Sequence, residues 1–360
     1  MKNYKKVLII GGGQLGMMMS EFAPKYSLNI SIIDPNKDCS ASKYANVVVA
    51  AEFTDKVVIE EQSRKNEVIT YEFENINEEV LANFSKKLPQ GIIANAISKN
   101  RIKEKTFIKQ LGYKTAAFCV PKSIDEVEEF IVEKAILKTT EGGYDGKGQY
   151  LIQKNDLSEI EKLDFSKNSY ILEEFIDFDY EISVVATRDK FNNTFAFPVT
   201  RNKHKDQILF SSEMEYKYQK FFNEGEIIAK NIMEEFNYVG TFCIEFFVIG
   251  EELIINEMAP RPHNSGHLTQ EGCDISQFEQ HIKAIIGLKI ERPKMLQETY
   301  MVNLIGENYK YLGYFDNEDI ISHDYYKTFI KKGRKMAHIN IKKKSEYEKI
   351  VSIIEGGRNE

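Results

Sequence analysis

The chain has 360 residues, 42% of them hydrophobic, and 48 Lys and Arg against 55 Asp and Glu give a formal net charge of −7. That length suits two or three domains with a sizeable core, and the acidic balance argues against a protein built to follow a nucleic-acid backbone while leaving room for a local basic pocket. Cys39, Cys119, Cys243 and Cys273 form no CxxC pair, which argues against a zinc or disulfide framework, and no signal peptide or membrane-length apolar run is present, so a cytoplasmic protein with no membrane partner is expected.

The first segment reads as α/β. Val7 to Ile10 is a continuous apolar run, as in a parallel strand buried on both faces. A glycine turn, Gly11 to Gly16, follows, then a helix from Leu15 to Tyr26 and a strand from Asn29 to Ile33 ending at Asp34. Strand–helix alternation continues through Val47 to Ala51, Lys56 to Arg64, Glu67 to Tyr71, Asn77 to Lys87 and Gly91 to Ala94. This predicts a parallel sheet with helices on its faces.

After about Ser98 the pattern changes. Lys99 to Leu111 is a charged amphipathic helix. Strands at Ile136 to Lys138, Gln149 to Ile152, Tyr170 to Glu174 and Tyr180 to Thr187 are joined mainly by turns, which predicts an antiparallel α+β region. A helix over Asn223 to Phe236 precedes a hairpin, Gly240 to Ile249 and Glu252 to Glu257, and another helix, Ser276 to Ile286. The last segment, from about Arg292, has short strands and a basic patch. Cys119 and Cys243 lie among apolar or β-forming neighbours and read as small buried hydrophobes.

Five motifs carry chemistry. GGGQLG, Gly11 to Gly16, fits G-x-G-x-x-G after a strand, with Asp34 about 20 residues on. Taken alone it suits a nicotinamide or flavin cofactor no better than another phosphorylated ligand. KTTEGGYDGKGQ, Lys138 to Gln149, places glycines and two lysines between strands, as a loop folding over a triphosphate requires. In the hairpin, Glu245 is an acid inside an apolar strand. Its even separation from Glu257, with a turn near Gly250 and Glu251, predicts that a symmetric hairpin sets the two carboxylates opposite each other. A divalent cation such as Mg²⁺ would relieve their repulsion. NEMAPRPHNSGH, Asn256 to His267, adds Arg261 as an anion grip, and its Pro and Gly argue against a helical zinc pair of His263 and His267. Lys327 to Lys335 forms a local positive region.

GGGQLG, YEFENI, GGYDGKGQ, EEFIDFDYEIS, INEMAPRPHNSGH and KGRKMAHINI occur in the order seen in the 5-(carboxyamino)imidazole ribonucleotide synthases, and the chain resembles that ATP-grasp family over nearly its whole length. The resemblance implies a Rossmann-like domain over 1–97, an ATP-grasp domain over 98–290 with a glycine-loop subdomain at about 121–184, and a small β-rich domain over 291–360. It implies a ligase of purine biosynthesis, commonly a homodimer, that joins bicarbonate to 5-aminoimidazole ribonucleotide at the expense of ATP, through carboxyphosphate.

By the same resemblance, Lys138, Arg101, His204 and a flap of Gly143, Tyr144, Asp145, Gly146, Lys147, Gly148 and Gln149 serve the nucleotide. Glu173, Glu174, Phe175 and Ile176 line its base, and Glu181 meets its ribose. Glu245 and Glu257 hold Mg²⁺, or Mn²⁺ in its place, with Asn256 beside them. Gln14, Leu15 and Glu72 lie along the ribonucleotide, whose phosphate meets Lys327, Arg334 and Lys335. Tyr144, Asp145, Arg261, His263 and Asn264 surround the reacting groups. Met17 and Met18 stand where the family often has a basic residue. The competing readings are a formate-dependent glycinamide ribonucleotide transformylase, a nicotinamide-dependent oxidoreductase and a non-catalytic nucleotide-binding protein.

Overall fold

The computed structural model describes residues 4–142, 148–165 and 169–356. The expectations for Gly143, Tyr144, Asp145, Gly146 and Lys147 lie outside the described residues. Among the described residues no helix is long and apolar enough to cross a membrane.

The described residues form three sheets. The first is parallel, in the order β3-β2-β1-β4, from β1 (Lys5–Ile10), β2 (Leu28–Asp34), β3 (Val47–Ala50) and β4 (Val68–Tyr71). Its inner strands are apolar on both faces because both are covered. Val7, Ile9, Ile30 and Ile32 pack with the helices Gln14–Ser20 and Gln277–Ile285. Leu8, Ile10, Ile33 and Tyr71 pack on the other side with Ile59 and Leu81.

The predicted strand from Gly91 to Ala94 does not exist. The segment is a helix, Ile93–Ser98. Gly91 has a φ of 66°, Ile93 is exposed, and Ala94 packs into the core of the next domain. Two adjacent isoleucines looked like a buried strand but serve opposite environments.

A small antiparallel sheet, in the order β5-β8-β6-β7, contains β5 (Phe118–Cys119), β6 (Lys134–Thr139), β7 (Gln149–Gln153) and β8 (Tyr170–Glu174). Cys119 on its edge is only half-buried, whereas Cys243 is fully buried. The third sheet has nine strands. β9 (Tyr180–Arg188), β10 (Thr194–Ala196), β11 (Thr200–Lys205), β12 (Ile208–Met214), β13 (Gly240–Ile249) and β14 (Glu252–Ala259) are joined by β15 (Thr299–Ile305), β16 (Ile320–Asp324) and β17 (Lys335–Ile341). The order is β14-β13-β9-β11-β12-β15-β17-β16, with β10 on β9. The helix Phe222–Glu235 covers one face and seats Ile228, Ile232 and Met233 against Ile182, Val184, Phe242 and Ile244. The segment 175–179 links β8 to β9, and thus the small sheet to the large one.

Candidate active site

β1 ends at the glycine turn. Gly11 has a φ of 102°, in the left-handed region that favours glycine. A Cβ at Gly13 would lie 2.6 Å from Glu72 Oε1. Glu72 follows β4 and accepts from the amides of Gly13 and Gly16, each at 2.5 Å. Asp34 accepts from the amide of Gly12 at 2.9 Å. Three amides of the turn are therefore taken by the protein's own carboxylates rather than by a ligand's phosphate. Burial holds the Glu72 carboxyl above its ordinary range, although the amides of Gly16 and Gly13 pull it down.

Lys327 Nζ donates to Gln14 Oε1 at 2.7 Å and to the carbonyl of Lys335 at 2.6 Å. Arg334 donates to the carbonyl of Phe329 at 3.0 Å. Leu15, Met17 and Met18 are buried in the core beneath the turn, so packing occupies the positions where the family often carries a basic residue.

The acid pair is reached by a route that the spacing did not show. From Ile249↔Glu252 to Phe246↔Ile255 the hairpin keeps one register, which would place Asn256 opposite Glu245. The register then shifts, Asn256 is the extra residue of a bulge, and Glu245 stands opposite Glu257. The carboxyl of Glu245, only 7% exposed, is pushed up to about 8 by burial and by the facing Glu257. Among the described residues no three His, Cys, Asp or Glu side chains are arranged to hold a metal ion. Two carboxylates suit Mg²⁺, which takes its other ligands from phosphate oxygens and water.

On the small sheet, Lys138 is buried with Nζ 2.9 Å from Glu173 Oε2. Burial, together with the nearby cations Lys105 and Arg101, holds Lys138 below the ordinary lysine range against the pull of Glu173. Burial pushes Glu173 up, but Lys105 and Lys138 more than cancel it and the carboxyl lies low. Glu174 is tied to Ala117 through backbone and side chain, at 2.8 and 2.7 Å. Lys134 sits over the Phe175 ring at 3.7 Å, and Ile176 is half-buried in the link between the sheets. Arg101 opens a helix, Arg101–Gln110, with its amide on the carbonyl of Thr140 at 2.9 Å. Gly148 has a φ of 71° and lies against Thr139, and Gln149 pairs with Lys138 across β6 and β7.

His204 Nδ1 is 2.5 Å from Glu181 Oε2. Burial lowers the ring's proton affinity, but Glu181, Glu245 and Glu257 together raise it above the ordinary histidine value. Arg261 Nε donates to Glu74 at 2.8 Å, which joins the loop after β14 to the N-terminal sheet. His263 Nδ1 accepts from the amide of Ser265 at 3.3 Å, so the proton of the neutral ring sits on Nε2, 3.4 Å from Glu245. Burial and then Arg261 hold His263 well below its ordinary range. Asn264 accepts from Asn303 at 2.6 Å and contacts His267 at 3.2 Å, and Gln277 Nε2 also reaches the His267 ring at 3.4 Å.

The charge of Lys335 bears on both Glu245 and His263, pulling the proton affinity of each down. Glu74, Lys105 and Gln277 were not singled out from the sequence. Gln277 brackets His263, accepting from its amide at 2.9 Å and donating to its carbonyl at 2.6 Å. Lys105 lies four residues from Arg101, on the same helix face, and that spacing was the available signal.

Three family descriptions match the chain in order. They are the ribonucleotide synthetase preATP-grasp domain over residues 4–98, the ATP-grasp domain over 106–278, and the phosphoribosylaminoimidazole carboxylase C-terminal domain over 299–350. The N5-carboxyaminoimidazole ribonucleotide synthase of Bacillus subtilis is 36% identical over 356 residues, covering 96% of this chain and 93% of that one. The N5-carboxyaminoimidazole synthetase of Staphylococcus aureus, solved with ADP, has 35% identity and a TM-score of 0.91 over 98% of both chains. The Aspergillus clavatus enzyme, solved with ADP and 5-aminoimidazole ribonucleotide, shares the fold at 22% identity, with a TM-score of 0.89 over 100% of both chains. Matched from end to end by relatives of this kind, the chain belongs to the N5-carboxyaminoimidazole ribonucleotide synthase family of ATP-grasp proteins.

Proposed function

We propose that the protein carboxylates the exocyclic amine of 5-aminoimidazole ribonucleotide, consuming ATP and bicarbonate and releasing ADP and phosphate, as a step of purine biosynthesis. The observation that carries this reading is the opposition of the buried Glu245 and the half-buried Glu257, in a chain of this family. A Mg²⁺ held by the pair, or Mn²⁺ in its place, would neutralise charge on the nucleotide phosphates.

A bicarbonate oxygen attacks the γ-phosphorus, the bond to the bridging oxygen breaks, and ADP departs from carboxyphosphate. The amine nitrogen then bonds to the carboxyl carbon, either of carboxyphosphate itself or of CO₂ released from it, the bond from that carbon to the phosphate oxygen breaks, and the nitrogen loses its proton. The protein's part in phosphoryl transfer is positioning and charge. Lys138 and Arg101 grip the nucleotide phosphates, Glu173 to Ile176 line the base, and Glu181 with His204 meets the ribose. Arg261, steadied by Glu74, receives the bicarbonate, with His263 and Asn264 beside it. Lys327, Arg334 and Lys335 hold the ribonucleotide phosphate, and Gln14 and Glu72 align its sugar.

The test is ADP release with ATP, Mg²⁺ and bicarbonate, with and without 5-aminoimidazole ribonucleotide, for the native chain and Glu257→Gln. Release that requires the ribonucleotide and falls at least a hundredfold in the variant is expected. Release only with formate and glycinamide ribonucleotide would reassign the substrate, and release with neither acceptor would refute the activity.

A further inference from the structure

We propose that Lys105 is a positioning residue that sets the bulge beneath the metal-binding acid pair and ties that pair to the phosphate-gripping lysine. The proposal rests on the reading of Glu245 and Glu257 as the metal pair.

β14 is an edge strand, so the polar groups on its outer side have no strand to pair with. Residues 104–115 take the place of one. The amide of Ile255 donates to the carbonyl of Lys114 at 2.9 Å, and its carbonyl accepts from Thr115 Oγ1 at 2.9 Å. The carbonyl of Asn256 accepts from Lys105 Nζ at 2.9 Å, and the amide of Met258 donates to Glu104 Oε1 at 2.7 Å. Ile255, Asn256 and Met258 are thus each fastened from outside, and Glu257 is held between them. Asn256 is the bulged residue, and a bulge leaves such a residue out of the ladder. Lys105 provides the donor that its carbonyl would otherwise lack.

Lys105 is itself 1% exposed. A buried ammonium is costly unless its donors are used. Its second partner is Glu173 Oε2 at 3.3 Å, the same oxygen that receives Lys138 at 2.9 Å. A single side chain on the helix Arg101–Gln110 therefore joins the strand bearing Glu257 on the large sheet to the carboxylate that holds Lys138 on the small one. A cation needed only to balance Glu173 would have no reason to reach the Asn256 carbonyl.

Two measurements on the full-length protein separate these roles. Mn²⁺ binding to the ADP-saturated protein is followed by electron paramagnetic resonance, and ADP binding in the presence of a chelator by calorimetry. Lys105→Met is expected to weaken Mn²⁺ binding tenfold or more while metal-free ADP affinity stays within threefold. Unchanged Mn²⁺ affinity overturns the proposal. So does an equal loss of both affinities, which would make Lys105 a cation of the phosphate site alone. Should Lys105→Met fail to fold, Lys105→Gln is expected to weaken Mn²⁺ at least threefold, and unchanged affinity there again overturns the proposal. Glu257→Gln is the control: Mn²⁺ binding that survives it removes the metal reading itself, and this proposal with it.

Discussion

Gly13 has no room for a methyl group, because a carboxylate oxygen of Glu72 already lies where one would go. Gly13→Ala must push Glu72 off two amides, at a cost of about 1–3 kcal/mol. Thermal unfolding should show that loss, and the KM for the ribonucleotide should rise at least tenfold while the KM for ATP stays within twofold. A matched rise in both would mean that the turn serves the nucleotide. At this scale the sequence was legible where spacing is local. Glu245 stands out as an acid on an apolar strand, and alternation alone assigns its face. The bonds between Glu72 and the turn were hidden, because a contact between residues 56 positions apart leaves no periodic trace. The glycines showed that something approaches closely, without showing that it is the protein's own side chain.

Among the elements, the helix Arg101–Gln110 concentrates most consequence in its ten residues. It carries Arg101, Glu104 and Lys105 and is capped by Asn100, whose side chain accepts from the amide of Lys103 at 3.1 Å and donates to Glu141 at 2.7 Å. Asn100→Ala should lower stability by about 1 kcal/mol. It should also raise the KM for ATP severalfold while leaving that for the ribonucleotide unchanged, and steady-state kinetics with each substrate varied would reveal the asymmetry. Amphipathic spacing made this helix readable to within two residues at its start. The hairpin strand Gly240–Ile249 was read to its ends, because both faces are apolar and Gly250, with a φ of 60°, closes it. The bulge was not readable: an extra residue preserves alternation on either side of itself. The false strand at Gly91 to Ala94 failed for the opposite reason, a short apolar run being compatible with strand or helix alike.

The molecule is joined across its domains by a buried chain of polar groups. The amide of Thr241 donates to His281 Nδ1 at 3.0 Å, leaving the ring proton on Nε2 to face Thr70 Oγ1 at 2.9 Å. Thr70 donates to Gln90 at 2.5 Å, and Gln90 donates to Tyr238 at 3.1 Å and to the carbonyl of Pro260 at 2.9 Å. Through these bonds the strand leading to Glu72 is locked to the loop carrying Arg261.

A second proton on His281 would point at the amide of Thr241, and burial pulls this histidine down to about 3. Below its ordinary value of 6.5 the unfolded chain takes up a proton that the folded chain refuses, so stability falls as pH drops through that window. His281→Gln should flatten the decline by about 1.4 kcal/mol per pH unit, the worth of one proton, as urea midpoints between pH 7 and pH 4 would show. A slope equal to that of the native chain would exclude His281 as a source of acid lability. None of this network was visible in the sequence, since its members come from separate stretches of the chain and share no motif.

The large sheet also has a kinetic meaning. β12 is bonded to β15 from Ser211↔Val302 to Met214↔Thr299, and β15 to β17 from Tyr300↔Ile341 onward. The C-terminal strands are therefore a continuation of the strands that carry the acid pair, with no break in the ladder. Amide protons of such a ladder are released by cooperative opening. The protons of Val302 and Ile339 should consequently exchange with deuterium as slowly as those of Val184 and Ile244, and a denaturant that frees one set should free the other. Exchange a hundredfold faster at residues 299–341 would reveal two units that merely touch.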